Sequence, residues 1–170
     1  MKKMIKIGSL LLLMMSVTVV AQAQKFGYVN TASILAQMPE VKQADANLEA
    51  LQKQLQKKGQ DMLTKLQNDY VAIQQQVERG ELSPKQQETE AQNLEKRQQE
   101  IASFEQDMVK QIQDKRTELL QPIYDKINNA ISEVASENGY TMIFDANVLL
   151  YSEDSQDVSE MVKSKLGILN

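Results

Sequence analysis

Between Glu40 and Arg79 the chain carries no proline and a single glycine, and its apolar residues return at a fixed interval. Leu48, Leu51 and Leu55 are followed eleven residues later by Gly59, Met62 and Leu66, and eleven further on by Tyr70, Ile73 and Val77. Eight of these nine positions hold large apolar side chains. This spacing is close to about 3.67 residues per turn, so it predicts a helix whose apolar seam runs nearly straight or slightly right-handed; a heptad repeat would wind left-handed. At 1.5 Å per residue the helix reaches roughly 60 Å.

The pattern breaks at Gly80-Glu81-Leu82-Ser83-Pro84. Gly80 suits the left-handed position after a helix end. Ser83 then serves as an N-cap, with Pro84 in the first turn and Gln86 completing a capping box. A connection this short makes two long helices antiparallel neighbours. Facing positions then have residue numbers that add to about 163. On that register Met62 faces Ile101, Leu55 faces Met108, Leu51 faces Ile112 and Ala44 faces Leu119. Gly59 faces Phe104, and a mid-helix glycine costs about 1 kcal/mol against alanine. Two compatible readings explain it: room for the Phe104 ring, or a flex point in a mobile arm. The predicted arm seam is therefore Leu48, Leu51, Leu55, Gly59, Met62, Leu66, Ile101, Phe104, Met108 and Ile112. Met62 and Met108 can also adapt to varied surfaces, although seam positions favour a core role. The Gln-rich, mixed-charge remainder reads as the wet face of a coiled coil.

The second helix changes character along its length. Between Glu78 and Glu100 its apolar residues are Leu82, Ala91 and Leu94, whereas between Leu119 and Ala135 they crowd into a face too wide for one partner helix. Pro122 lies inside that crowded stretch and is expected to kink the helix or mark a join. Outside the hairpin the pattern shortens. Lys25 to Asn30 reads as a strand, a brief helical turn follows through Ile34 and Leu35, and Met38-Pro39 interrupts it. After Glu137-Asn138-Gly139, two strands are predicted, Thr141–Phe144 and Val148–Tyr151, around a turn at Asp145-Ala146-Asn147. A last helix runs from about Val158 to Leu166, with Asp157 or Ser159 as cap and Gly167 as stop. The fold class is α+β, mostly α: a long antiparallel helical hairpin on a small β body. The boundaries are 24–39 for the first part of the body, 40–118 for the arm with its tip at 80–84, and 119–170 for the rest of the body. Three short strands and a hairpin base are too little to stand alone, so assembly through the strands is expected. A monomer with open sheet edges would invite aggregation.

Composition narrows the chemistry. Residues 1–23 read as a signal peptide: Lys2, Lys3 and Lys6, an apolar run from Ile7 to Val20, and Ala21-Gln22-Ala23 as the cleavage site. The run is short for a membrane span and the cleavage site follows directly, so no stable membrane insertion is expected. Cleavage near Ala23/Gln24 leaves 16 basic against 23 acidic residues, a balance of −7, which argues against nucleic acid as a partner. The chain has no His and no Cys. Ser-His-Asp and Cys-His nucleophiles, lipid anchoring at a cysteine and the usual zinc sites are thereby excluded. Glu153, Asp154 and Asp157 form an acidic cluster able to bind a hard cation, but a solvated loop beside a helix N-terminus explains it more simply. No cofactor, metal or catalytic residue is expected, and the chain is not read as an enzyme; a carboxylate-based, metal-dependent hydrolase is the remote alternative.

The ordered segments Phe26-Gly27-Tyr28-Val29-Asn30, Ile34-Leu35 and Pro39-Glu40 precede the Gln/Lys/Glu hairpin. Ile127–Ile131, Val134-Ala135, Glu137–Tyr140, Ile143-Phe144-Asp145 and Val148–Tyr151 follow within and after it. Together they resemble the OmpH/Skp family of periplasmic chaperones over essentially the whole chain after the signal peptide. The resemblance implies a homotrimer with a β body built from strands of all three chains and three arms around a cavity. It implies binding of unfolded outer-membrane proteins there without ATP, in the periplasm. It carries over no catalytic residues. The trimer-body strands it implies comprise Phe26, Tyr28, Val29, Met142, Ile143, Phe144, Val148, Leu149, Leu150 and Tyr151. Better-known relatives are basic, unlike this chain, so no lipopolysaccharide site is carried over. The competing reading is a structural or adaptor coiled-coil protein of the cell envelope.

Overall fold

The computed structural model describes residues 24–168; the predicted signal peptide lies outside them. Strand β1 (Lys25–Val29) leads into helix α1 (Thr31–Gln37), α2 (Pro39–Glu78), α3 (Pro84–Asn138), strand β2 (Tyr140–Asp145) and helix α4 (Ser159–Leu166). The fold is α+β and mostly helical. Helix α2 has 40 residues and α3 has 55.

The tip follows from its local chemistry. Gly80 has φ of 70°, its N–H bonds the Val77 carbonyl at 3.0 Å and the Glu81 N–H bonds the Gln76 carbonyl at 2.9 Å. This double bond is the Schellman arrangement, which a glycine at C′ permits. Three residues after Gly80, the Ser83 N–H donates to Gln86 Oε1 at 2.9 Å while the Gln86 N–H donates to Ser83 Oγ at 3.4 Å. Helix end and helix start are thus both satisfied within the turn. Pro122 does not end α3; it lies on the exposed side, where the carbonyl that loses its partner can turn to water.

β1 and β2 pair in parallel, Phe26 with Met142 and Tyr28 with Phe144, with a register shift between Lys25 and Phe26. Parallel strands need a crossover connection, and here the crossover is the whole helical hairpin. One core lies at its base: Val29, Ile34, Met38, Ala44, Ile123, Ile127, Ala130, Val134, Val158 and Val162 are buried together. The crowded face of α3 is covered by α2, by α4 and by β2, more than the one partner helix its width would overrun. Gly27 permits the tight approach of the sheet to this core, since a Cβ there would meet the Tyr140 ring at 3.0 Å and Val158 at 3.1 Å. α4 is capped differently from either expected residue: Val158 occupies the N-cap, and Asp157 Oδ1 accepts from the Ser159 N–H at 2.8 Å just outside it.

One expectation is corrected. Val148, Leu149, Leu150 and Tyr151 do not form a strand: residues Ala146–Val148 make a 3-10 turn and the chain then continues without regular structure. Asp145 accepts from the Asn147 N–H at 2.8 Å, a local turn that bends the chain out of the β2 direction. The free edge of β1 is already bridged by Asp157 beside Tyr28. A single chain offers these apolar residues no inner strand to pair with.

Candidate functional site

Two surfaces carry unsatisfied apolar groups, one on the arm and one on the body. Along the arm, Leu48, Leu55, Ile101 and Phe104 are buried, and Leu51, Gly59, Met62, Leu66, Met108 and Ile112 are half-buried. Leu55 and Met108 line one groove, and Met62 and Ile101 another. A Cβ on Gly59 would lie 3.4 Å from Phe104 Cε1, and the Lys58 ammonium sits 4.9 Å from the centre of the same ring. Towards the tip the seam loosens. Tyr70 and Val77 extend the eleven-residue repeat, yet Tyr70 is 59% exposed and Val77 39%. The opposing stretch of α3 has too few apolar residues to cover them, and Asp69 and Arg97 form an ion pair across the helices instead.

The two flanks of the hairpin differ in chemistry. The grooves on one flank are lined by Lys65, Arg97 and Glu100, then by Asp69, Glu90 and Arg97 nearer the tip. Those on the other are lined by Gln56, Gln60 and Leu63, then by Gln67, Tyr70, Leu94 and Gln98. Among the described residues lining this second flank, Glu105 alone is charged. Sequence reasoning treated the polar faces as one wet surface. The segregation was legible only in the 3-and-4 spacing of Gln52, Gln56, Gln60, Leu63, Gln67, Tyr70, Gln74 and Val77 on α2, where no charge intervenes.

On the body, strand alternation sorts the predicted strand residues into two sets. Val29 is buried and Ile143 packs on the core. Phe26, Met142 and Phe144 point outwards and are exposed, with the Phe26 and Phe144 rings 6.4 Å apart. Tyr28 and Leu149 are half-buried. Val148, Leu150 and Tyr151 project into solvent, Leu150 and Tyr151 at 106% and 82% exposure. The ten residues are therefore not one surface; three of the strand residues and three of the following segment are apolar and exposed.

Polar contacts brace the junction of arm and body. The Thr31 hydroxyl donates to Asp145, and this bond, with help from the Asn147 amides, holds the Asp145 carboxyl below its ordinary range against the opposing effect of burial. Lys126 donates to Glu40 at 2.6 Å across α2 and α3, and that bond is the main reason the Glu40 carboxyl is also lowered. Glu153, Asp154 and Asp157 do not converge: among the described residues no three such groups are placed to share a metal ion. No described helix is long and apolar enough to cross a membrane.

The family described as Outer membrane protein (OmpH-like) matches residues 25–166. The chain belongs to this OmpH-like family. It is 31% identical over 147 residues to the chaperone protein Skp of Yersinia enterocolitica, covering 81% of this chain and 83% of that protein. It is 29% identical to the chaperone protein Skp of Vibrio cholerae serotype O1, covering 95% of this chain and 97% of that one. Among solved structures, an OmpH-like protein of Caulobacter crescentus superposes with a TM-score of 0.71 at 15% identity, covering 86% of this chain and 84% of that one. That likeness shows the fold. In this OmpH-like chain the open features are the outer sheet face of the body and the uncharged flank of the arm.

Proposed function

We propose that the protein is an ATP-independent holdase chaperone of the periplasm, which keeps unfolded outer-membrane proteins soluble between the arms of a homotrimer. The observation that carries this reading is the match of the family along both arm and body, with two relatives named as chaperones at 31% and 29% identity. The geometry supports it. Phe26, Met142 and Phe144 on the outer sheet face, and Leu150 and Tyr151 in the segment after it, are apolar groups that a lone chain leaves in water. Covering it by two further copies would supply the missing neighbours of the segment Val148–Tyr151 and point three hairpins the same way. Three arms then act on one client, and avidity offsets weak individual contacts. No step of this activity asks for a nucleophile, a cofactor or a metal, and the protein is read as a binder without catalytic function. The signal peptide read from residues 1–23 supports a periplasmic location after cleavage near Ala23/Gln24.

The test is suppression of aggregation. Mature protein, from Gln24 onward, is expected to keep a urea-unfolded outer-membrane protein soluble when diluted at near-stoichiometric trimer, without nucleotide. Aggregation at the unassisted rate, with the trimer intact, would reject the reading. Capture of one folded envelope partner at defined stoichiometry, and no unfolded precursor, would favour the adaptor alternative.

A further inference from the structure

We infer that the client is held on the uncharged flank of each arm, the face bearing Leu63, Tyr70 and Val109, and not on the charged flank or at the tip. This rests on the holdase reading and assigns its contact surface. The arm exposes five large apolar residues: Leu63, Tyr70, Val71, Val77 and Val109. Leu63 and Tyr70 line the groove shared with Leu94 and Gln98. Val71 stands beside Gln67 and Gln74 on its outer edge, and Val109 continues the line from Gln98 through Glu105 at helical spacing. The opposite grooves are lined by Lys65, Asp69, Arg97 and Glu100. The large exposed apolar groups thus stand along one flank of the hairpin, and the charged groups lining its grooves, Glu105 apart, along the other.

The sorting matches the chemistry of one class of partner. Burying a charge without a partner costs several kcal/mol, so a surface that accepts many sequences does best without charges. Each glutamine amide both donates and accepts and can pair with client backbone that has no fixed structure. A barrel precursor alternates apolar and polar residues along strands of about 10 residues, roughly 33 Å when extended. The uncharged face from Gln52 to Val77 runs about 37 Å along α2, enough for one such strand. A neighbouring arm fits less well. Leu63, Tyr70 and Val77 would need Leu66 and Ile73 to complete a heptad seam, and those two are half-buried in the hairpin's own seam, so no second seam is left for knobs-into-holes packing with a rigid helix. A flexible extended chain can place its apolar side chains on such separated points.

The test compares two variants of the full mature protein with the wild type, using a urea-denatured porin as probe and measuring binding, helix content and oligomeric mass. Leu63→Gln with Tyr70→Gln and Val109→Gln is expected to bind the porin about tenfold more weakly, with unchanged mass and helix content. Lys65→Gln with Glu100→Gln on the charged flank is expected to stay within about twofold of wild type. Wild-type binding by the first variant, or an equal loss in the second, would overturn the assignment. A fall in oligomeric mass in the first variant would also overturn it, because the flank would then be a contact between arms. A wild type that does not hold the porin at all would reject the holdase reading itself, and the flank assignment with it.

Discussion

At Gly59 the space beyond the backbone accepts a methyl group. A Cβ there would lie 3.4 Å from the near edge of the Phe104 ring and 3.9 Å from the next ring carbon, ordinary contact distances, whereas a longer side chain directed into the seam would meet the ring. Gly59→Ala is therefore expected to stabilise the arm by up to about 1 kcal/mol through helix propensity. Gly59→Leu is expected to destabilise it by about 1–3 kcal/mol through overpacking. Urea unfolding followed by helix content separates the two. If leucine is tolerated without loss, the notch against Phe104 is not what keeps this position small. A second residue-scale consequence concerns acid. The Thr31 hydroxyl, aided by Asn147, lowers the Asp145 carboxyl from its ordinary value of 3.8. A group lowered in the folded state contributes stability above its unfolded pKa and loses it as pH falls through the folded one. Unfolding measured from about pH 7 down to about pH 3 should show stability falling in the acid limb. Thr31→Val should remove about 1 kcal/mol at neutral pH and flatten that limb.

The hairpin is an element with two unequal halves. From Leu48 to Leu66 the seam is closed by Leu55, Ile101 and Phe104, all buried. Past the Asp69–Arg97 ion pair it opens, and Tyr70 and Val77 face solvent. Apolar burial supplies most of the stability of a long helix, so backbone amides from Tyr70 to the tip should exchange with solvent faster than those from Leu48 to Leu66. Equal protection along the arm would contradict the loosened seam. The register itself is checked by cysteines, of which the chain has none. Leu55→Cys with Met108→Cys, two residues of one groove, should form a disulfide within a single chain on oxidation and migrate faster on a denaturing gel. Only intermolecular products would reject the antiparallel pairing.

For the whole molecule the decisive feature is the open apolar face of the body. Phe26, Met142 and Phe144 with Leu150 and Tyr151 resemble half of a core, and an exposed patch of this kind marks an interaction surface. Phe144→Asp with Leu150→Asp should convert the proposed trimer to monomer, read as a threefold drop in mass by light scattering, while α2 and α3 keep their helix content. Retention of trimer in that variant would place the assembly contacts elsewhere. Loss of the trimer should also abolish holding of unfolded outer-membrane protein, because a single arm has no avidity to draw on.

Much of this architecture was legible in one dimension. The eleven-residue repeat, Gly80, and the Ser83–Gln86 capping box act through contacts within a few residues, so local chemistry alone decided where the helices run, where they stop and that they fold back together. The absence of His and Cys set the chemistry in the same direct way. Other features depended on what lies across space. Tyr70 and Val77 obey the repeat but are exposed, because a repeat on one helix cannot report whether its partner has apolar residues to meet it. Val148–Tyr151 has the composition of a strand and no strand to join, since β-structure depends on a non-local partner that one chain does not provide. The separation of charged from uncharged flanks lay between these cases. Its residues sit at plain helical spacing in the sequence, but only the pairing of α2 with α3 decided that Lys65 and Arg97 share one side and Tyr70 and Gln98 the other.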